Sequence, residues 1–335
     1  MEQQTYRISW IDMAKGYGII MVMAGHHHIP IAIANYIYAF HIPLFFFLSG
    51  YLFNTKKNFK AFAAAKIKRL IIPYFCLCIP MVFANLLFPD RNSLNIVNFT
   101  NEFVYFILQE RHTTLWYLSS LLILNFIMYP MVKYSASKWI SDIYCLLICL
   151  FGLMLWHFGI KNLFWNSDIA LVVLPFFYTG YRFHNIMSNH SIQKIAFKKI
   201  ITIVFLLGYI IYFLNSWNIR VAGDKVDLFY SNIDVIGITY LVAYTGITMM
   251  ILVSMGYENN LIKYIGENSL LYFAWHQTII FPFLSRLCWK IGVIQYDMYH
   301  STYLFPCLSI LLTIIIITIL NEIIIRSNFK FILGK

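Results

Sequence analysis

Histidines and charged residues stand near the beginning of the chain, inside segments that are otherwise strongly apolar. Asp12 and Lys15 lie in the first apolar segment. The stretch 25–51 adds four histidines: His26, His27, His28 and His41. Ionisable side chains in such segments are costly and usually face a cavity or one another. A neutral imidazole is also the side chain best suited to take a proton near pH 7. The pattern therefore predicts a site that moves a proton or forms a covalent intermediate.

The spacing within the first segment predicts which of these residues share a face. Asp12 and Lys15 are three residues apart, so they lie on the same side of a helix and can pair. His26 follows Lys15 by 11 residues, which is about three turns or about 16 Å of helix. We therefore expect Lys15 and His26 to face one cavity, with Asp12 beside them. His41 begins the second segment from the outer side and is predicted to assist His26, whereas His27 and His28 are expected to be interfacial without a direct role.

The composition excludes a soluble enzyme. Of the 335 residues, 60% are hydrophobic and only 12% are charged, which is about half the charge of a soluble domain. The net charge of +11 is a matter of membrane topology here and does not indicate a nucleic-acid partner. The six cysteines show neither a disulfide framework nor zinc-ligand spacing, so no metal is expected.

The hydropathy pattern predicts an all-α, polytopic transmembrane helical bundle that forms a single domain over residues 1–335. About ten spans of the required length are expected, at 8–28, 36–54, 69–89, 115–133, 140–158, 167–184, 199–217, 234–254, 268–289 and 303–325. Most of the 25 lysines and arginines fall on one side of this arrangement, which predicts that both termini are cytosolic. The basic stretch 56–69 is denser than topology requires, so an anionic cytosolic ligand is a second interpretation of it.

Other candidate residues lie at the ends of later spans. Three cations, Lys66, Lys68 and Arg69, precede or open the third span. Trp116 and Tyr117 open the fourth span, where an aromatic belt and a substrate platform explain them equally well. His276 lies inside the ninth span, as a packed polar residue or as part of the cavity.

Three motifs together resemble a known family. The sequences "WIDMAKGYGIIMVMAGH", "HIPLFFFLSGYLF" and "KIKRLIIPY" are similar to the amino-terminal half of the acyltransferase-3 family, bacterial integral-membrane enzymes that acylate surface sugars. The likeness is strongest over residues 8–75, while "LWYLSSLL" and "YFAWHQ" stand at compatible places further on. The family mostly has arginine where this chain has Lys15, so the charge is kept and the bidentate phosphate geometry is lost.

The resemblance implies a donor, an acceptor and a location. The donor would be acetyl-CoA, with its phosphates on Lys15, Lys66, Lys68 and Arg69 and its thioester near His26. The acceptor would be a hydroxyl of a surface polysaccharide, such as capsule, or of its lipid-linked precursor, and we expect direct transfer from the cytoplasmic membrane of a bacterium. His26 would act as general base or would carry the acetyl group itself, and the sequence leaves both routes open, as it leaves open self-association.

Two other functions remain consistent with the sequence. A transporter or flippase for a lipid-linked sugar would also place charges and a histidine within its spans. Inverted repeats and paired broken helices, which are typical of transporters, are not evident in the sequence. A purely structural membrane subunit explains the charges of the first span poorly.

Overall fold

The computed structural model of the protein describes residues 8–27, 29–87, 96–109, 111, 113–187, 197–222, 225–233, 235–292 and 304–335. These residues form helices joined by turns, with one isolated bridge between Asp227 and Asn232 as their only β-structure. The first helices are α1 (Ser9–Gly25), α2 (Ile31–Tyr38), α3 (His41–Tyr51), α4 (Phe59–Lys66), α5 (Ile72–Leu87), α6 (Ile96–Leu108), α7 (Trp116–Lys133) and α8 (Lys138–His157). The later helices are α9 (Ser167–Met187), α10 (Phe197–Ala222), α11 (Ile236–Gly256), α12 (Asn260–Glu267), α13 (Ser269–Trp275), α14 (Phe281–Lys290) and α15 (Leu304–Arg326). The all-helical prediction is confirmed for the described residues.

Within the described residues, 6 helical stretches are long and apolar enough to cross a membrane. They are Ile31–Tyr51, Phe59–Ala84, Lys138–His157, Lys199–Val221, Ile236–Gly256 and Leu304–Arg326. The other four predicted spans fall on α1, α7, α9 and the stretch from α13 to α14, which are shorter or more polar. A multi-pass membrane protein is therefore established, while the count of ten and the cytosolic termini remain predictions.

Several predicted spans are interrupted where the sequence suggested continuous helices. α1 ends at Gly25, so His26 lies in a turn and not on the helical face extrapolated from Lys15. The second span breaks at Phe40, whose φ of −146° is not helical, and α3 begins at the next residue. Two π-helical segments, Ile67–Ile71 and His276–Ile280, interrupt the third and ninth spans.

The chain packs as two compact units that interleave along the sequence. The first unit comprises Met1–Gly25, Ile29–Leu52 and Thr179–Ser269, and the second comprises His26–His28, Phe53–Tyr178 and Leu270–Lys335. Each unit is therefore assembled from separate stretches of chain.

In the first unit, glycines bring α1 and α12 close together. A Cβ atom on Gly16 would lie 2.1 Å from the carbonyl oxygen of Ile262, and one on Gly266 would lie 1.7 Å from that of Asp12. Both positions therefore require glycine, since any side chain would push the two helices apart. This packing fixes the segment of α1 that carries Asp12 and Lys15.

In the second unit, polar bonds to carbonyl oxygens hold α13 and the π segment after it. Trp275 Nε1 donates to the Leu77 carbonyl of α5 at 3.3 Å. Thr114 Oγ1, just before α7, donates to the Ala274 carbonyl at 3.2 Å. The residues around His276 are thus attached to two other elements of the same unit.

Candidate active site

His276 is the most completely enclosed of the predicted site residues. Its side chain is 0% exposed. Its Nδ1 atom lies 2.8 Å from the Tyr272 carbonyl oxygen and 3.0 Å from that of Phe273. A carbonyl oxygen can only accept, so Nδ1 carries the proton and Nε2 keeps its lone pair. Nε2 has no hydrogen-bond partner among the described residues.

His276 also opens a π-helical segment, His276–Ile280. A π turn contains one more residue than an α turn. Such turns are rare in proteins overall, but those that occur are often found at functional sites. The two carbonyls that hold the ring belong to the preceding helix α13, so His276 stands at the junction between that helix and the π segment.

His26 lies beside His276 within the second unit. The centroids of the two imidazole rings are 5.3 Å apart, and the ring planes differ by 38°. His26 is half-buried, so it is the more accessible member of the pair. Sequence analysis selected both residues but did not predict that they meet.

His27 has aromatic surroundings of its own. Its ring centroid lies 4.8 Å from that of Phe281 and 5.5 Å from that of Phe305. These contacts describe a packed side chain, and the absence of a direct role for His27 stays a prediction. His28 lies outside the described residues.

Trp116 and Tyr117 begin α7 on the same unit. They are 6% and 9% exposed, which is unlike an aromatic belt facing lipid, and Trp139 at 78% exposed is a better example of one. The Tyr117 ring lies 5.5 Å from that of Phe273, whose carbonyl accepts from His276. Of the two interpretations of this pair, burial favours a role in the site.

The basic residues of the third span divide into two kinds. Lys66 places its ammonium group 5.3 Å from the ring centre of Phe62 and 5.9 Å from that of Phe53, in cation–π contact. Lys68 and Arg69 are exposed and lie on the first π segment. The backbone at Gly334, with φ of +70°, packs against Arg69: a Cβ atom there would meet the Arg69 carbonyl oxygen at 3.0 Å. Lys68 and Arg69 are therefore more available to a soluble anion than Lys66.

Asp12, Lys15 and His41 belong to the first unit. Asp12 is 8% exposed on α1. His41 is 3% exposed, and its Nδ1 atom lies 2.8 Å from the Ile37 carbonyl oxygen. The Tyr38 ring stands nearly perpendicular to the His41 ring, at 5.0 Å and 72°.

Sequence analysis missed a buried polar network in the second unit. Arg111 pairs with Asp168, and both side chains are buried. The same carboxylate accepts from Trp156 Nε1 at 2.9 Å. Asn166, at 0% exposed, donates to the Gln109 carbonyl at 3.2 Å and to Ser119 Oγ at 2.9 Å. A signal was present, since Asp168 lies at the very start of an apolar helix, but the partner 57 residues away was not evident.

Metal chemistry has no visible site in the described part of the chain. No three His, Cys, Asp or Glu side chains there come together in a way that could hold a metal ion.

A comparison with known protein families gives a match over nearly the whole chain. A family model described as an acyltransferase domain, that of acyltransferase-3, matches residues 8–325. The chain belongs to the acyltransferase-3 family. This membrane acyltransferase has no match among the curated proteins or the solved structures that were compared.

Proposed function

We propose that this acyltransferase is an O-acetyltransferase that moves an acetyl group from cytosolic acetyl-CoA to a hydroxyl of a cell-surface polysaccharide. The observation that carries the proposal is the half-buried His26 beside the buried His276 in a member of an acyltransferase family. An alcohol needs a base or an acylated intermediate to displace a thiolate, and His26 is suited to either role. Family membership favours this enzyme over a lipid-linked sugar transporter.

The donor would be bound by cations and the acceptor by aromatic and polar groups. Lys15, Lys66, Lys68 and Arg69 are the proposed contacts for the phosphates of acetyl-CoA, since charge-assisted hydrogen bonds are the strong ones. Asp12 would pair with or orient Lys15, and His41 would orient the reacting groups. Trp116 and Tyr117 are proposed to contact the acceptor sugar, because aromatic faces pack well against sugar rings.

Activity is tested with purified protein in detergent. Acetyl-CoA labelled in the acetyl group is supplied together with surface glycan extracted from a deletion strain, and the label in the glycan is measured. Label should appear with wild-type protein, and proton NMR should show acetyl signals in the parent strain that the deletion strain lacks. Identical glycan spectra from the two strains, with no label transferred, would refute the proposal.

The proposed location is the bacterial cytoplasmic membrane, with the stretch 56–69 facing the cytosol. Cysteine substitutions at Lys57 and Lys161, both exposed, report on the two sides. Lys161 is preferable to its neighbour Asn162, whose φ of +59° suits few other residues. An impermeant thiol reagent on intact cells should label position 161 above the background of the parent protein. Labelling of position 57 alone would mean that the orientation is the reverse of the one proposed.

A further inference from the structure

A buried acceptor atom in the second unit is left without a hydrogen bond. The bonds at Nδ1 place the ring proton on that nitrogen, so Nε2 of His276 keeps its lone pair and can accept a hydrogen bond. Nε2 is buried, and it has no hydrogen-bond partner in the described part of the chain. Native structures rarely leave such an atom unsatisfied, so each case calls for an explanation. His26, whose ring centroid lies 5.3 Å from that of His276, can supply a ring N–H.

The ring geometry places that donor within reach. A centroid distance of 5.3 Å leaves about 3 Å between two ring nitrogens that point toward one another, which is a hydrogen-bond distance. Catalytic hydrogen bonds are often long without substrate and tighten when it binds. His276 cannot rotate freely, because two carbonyls hold its Nδ1.

We propose that His276 is a positioning residue for His26: its Nε2 accepts a hydrogen bond from a ring N–H of His26 and stabilises the positive charge that His26 acquires during transfer. This inference rests on the proposed acyl transfer and deepens it. The bond fixes the His26 tautomer and leaves the other His26 nitrogen to meet the substrate. It is the function that an acidic side chain has in many catalytic triads, performed here by a neutral imidazole.

The chemistry balances with His276 unchanged. When His26 acts as base, the acceptor oxygen attacks the acyl carbon and its proton passes to His26. The carbon–sulfur bond breaks, CoA leaves as thiolate, and the proton on His26 returns to that thiolate through water. When His26 carries the acyl group instead, its free nitrogen attacks the acyl carbon, the carbon–sulfur bond breaks and CoA leaves as thiolate, so that His26 becomes a cationic acyl-imidazolium. The acceptor oxygen then attacks the acyl carbon, the carbon–nitrogen bond breaks, and the hydroxyl proton passes through water to the CoA thiolate. In both routes His276 keeps its own Nδ1 proton and supplies only an acceptor.

Two substitutions separate this role from packing. An asparagine at 276 places its amide near Nδ1 and keeps the bond to the helix carbonyls, but it does not reach His26. A glutamine places its amide oxygen near Nε2 and can accept from His26. A structural role predicts that asparagine is the better replacement, whereas positioning predicts that glutamine is.

We expect His276→Asn to lower kcat about tenfold to a hundredfold, the usual worth of a hydrogen bond to a charged group, with KM for acetyl-CoA changed less than about threefold. His276→Gln should stay within about fivefold of wild type in kcat, since it retains the acceptor. Ser285→Ala is the matched control, because Ser285 donates to the Phe281 carbonyl at 2.9 Å on the following helix, and its kcat should not change. Equal activity of the asparagine and glutamine variants, or greater activity of the asparagine variant, overturns the inference.

A measurement on wild-type protein covers the case in which the variants do not fold. Solid-state NMR of protein labelled with ¹⁵N-histidine, with a non-transferable CoA analogue bound, should show a contact between a protonated nitrogen of one ring and an unprotonated nitrogen of another. Absence of that contact overturns the inference as well. If wild-type protein transfers no acetyl group at all, the proposed function itself is wrong. Failure of the proposed function is therefore distinguishable from failure of the His276 inference.

Discussion

His41 in the first unit and His276 in the second are anchored in the same way and differ in what surrounds them. Each ring bonds through Nδ1, at 2.8 Å, to the carbonyl oxygen four residues earlier. His41 then packs edge-on to Tyr38, over whose ring Lys225 places its ammonium group at 3.8 Å. His276 has the ring of His26 beside it. The two rings thus share one kind of anchor, to which His276 adds a second bond at the Phe273 carbonyl. The different roles proposed for the two histidines rest on the side chain that lies beside each ring.

The largest loss of activity is expected from a substitution of His26, which lies beside His276 in the second unit. His26→Ala should lose transfer by about 10²- to 10⁴-fold, the range that general acid–base catalysis provides, while acetyl-CoA binding persists. Glycan acetylation in a deletion strain complemented at matched membrane levels measures the loss. His27→Ala is the adjacent control: it removes contacts with Phe281 and Phe305 and should retain most activity. Wild-type acetylation from His26→Ala would end the mechanism proposed for the second unit.

A second prediction separates stability from chemistry within the second unit. Asp168→Asn leaves Arg111 as a buried cation without its carboxylate, and breaking such a pair typically costs about 3–5 kcal/mol. We expect a marked fall in thermal stability and in membrane level, with kcat per folded molecule nearly unchanged. Fluorescence-detected melting and activity normalised to folded protein test this. A native-like Tm combined with a large loss of kcat would instead place the Arg111–Asp168 pair in the reaction.

The cations proposed to bind acetyl-CoA come from both units. Lys15→Ala and Arg69→Ala should each weaken acetyl-CoA binding by about tenfold or more, because a hydrogen bond to a charged group contributes about 1.5–3 kcal/mol. Lys66→Ala should weaken it less, since Lys66 already lies against Phe53 and Phe62. Isothermal titration with the purified variants gives the affinities. If Lys15→Ala binds normally, the first unit has no part in donor binding.

The smallest expected effect is at His41. His41→Asn keeps a donor near Nδ1 for the Ile37 carbonyl, so the helix anchor survives. If His41 only orients other groups, kcat should fall less than about tenfold, the worth of one neutral hydrogen bond. The same assay used for His276→Asn makes the comparison direct. A loss larger than that of His276→Asn would reverse the assignment of roles to the two units.

The local chemistry of this protein was readable from its sequence, and the long-range pairing was not. Apolar helices, the family and the individual candidates His26 and His276 follow from residue types at short spacing. The contact between these two histidines joins positions 250 residues apart, and no local pattern encodes it. The same holds for Arg111 and Asp168, which pair although they lie 57 residues apart. Hydropathy also fails to reveal a π turn, because one extra residue leaves a span just as apolar.

The π segment at His276–Ile280 affects how the site responds to a change in chain length. It holds one residue more than a regular helix needs, so deleting a single residue such as Thr278 would restore an α turn. Because the wider turn takes up that residue, the helix from Phe281 onward would stay nearly in place, with Phe281 still against the rings of His27 and His276. A deletion in a continuous α-helix would instead rotate everything after it by about 100° and draw it back by about 1.5 Å. The stretch after His276 is therefore the part of this span that can lose one residue without moving its neighbouring rings.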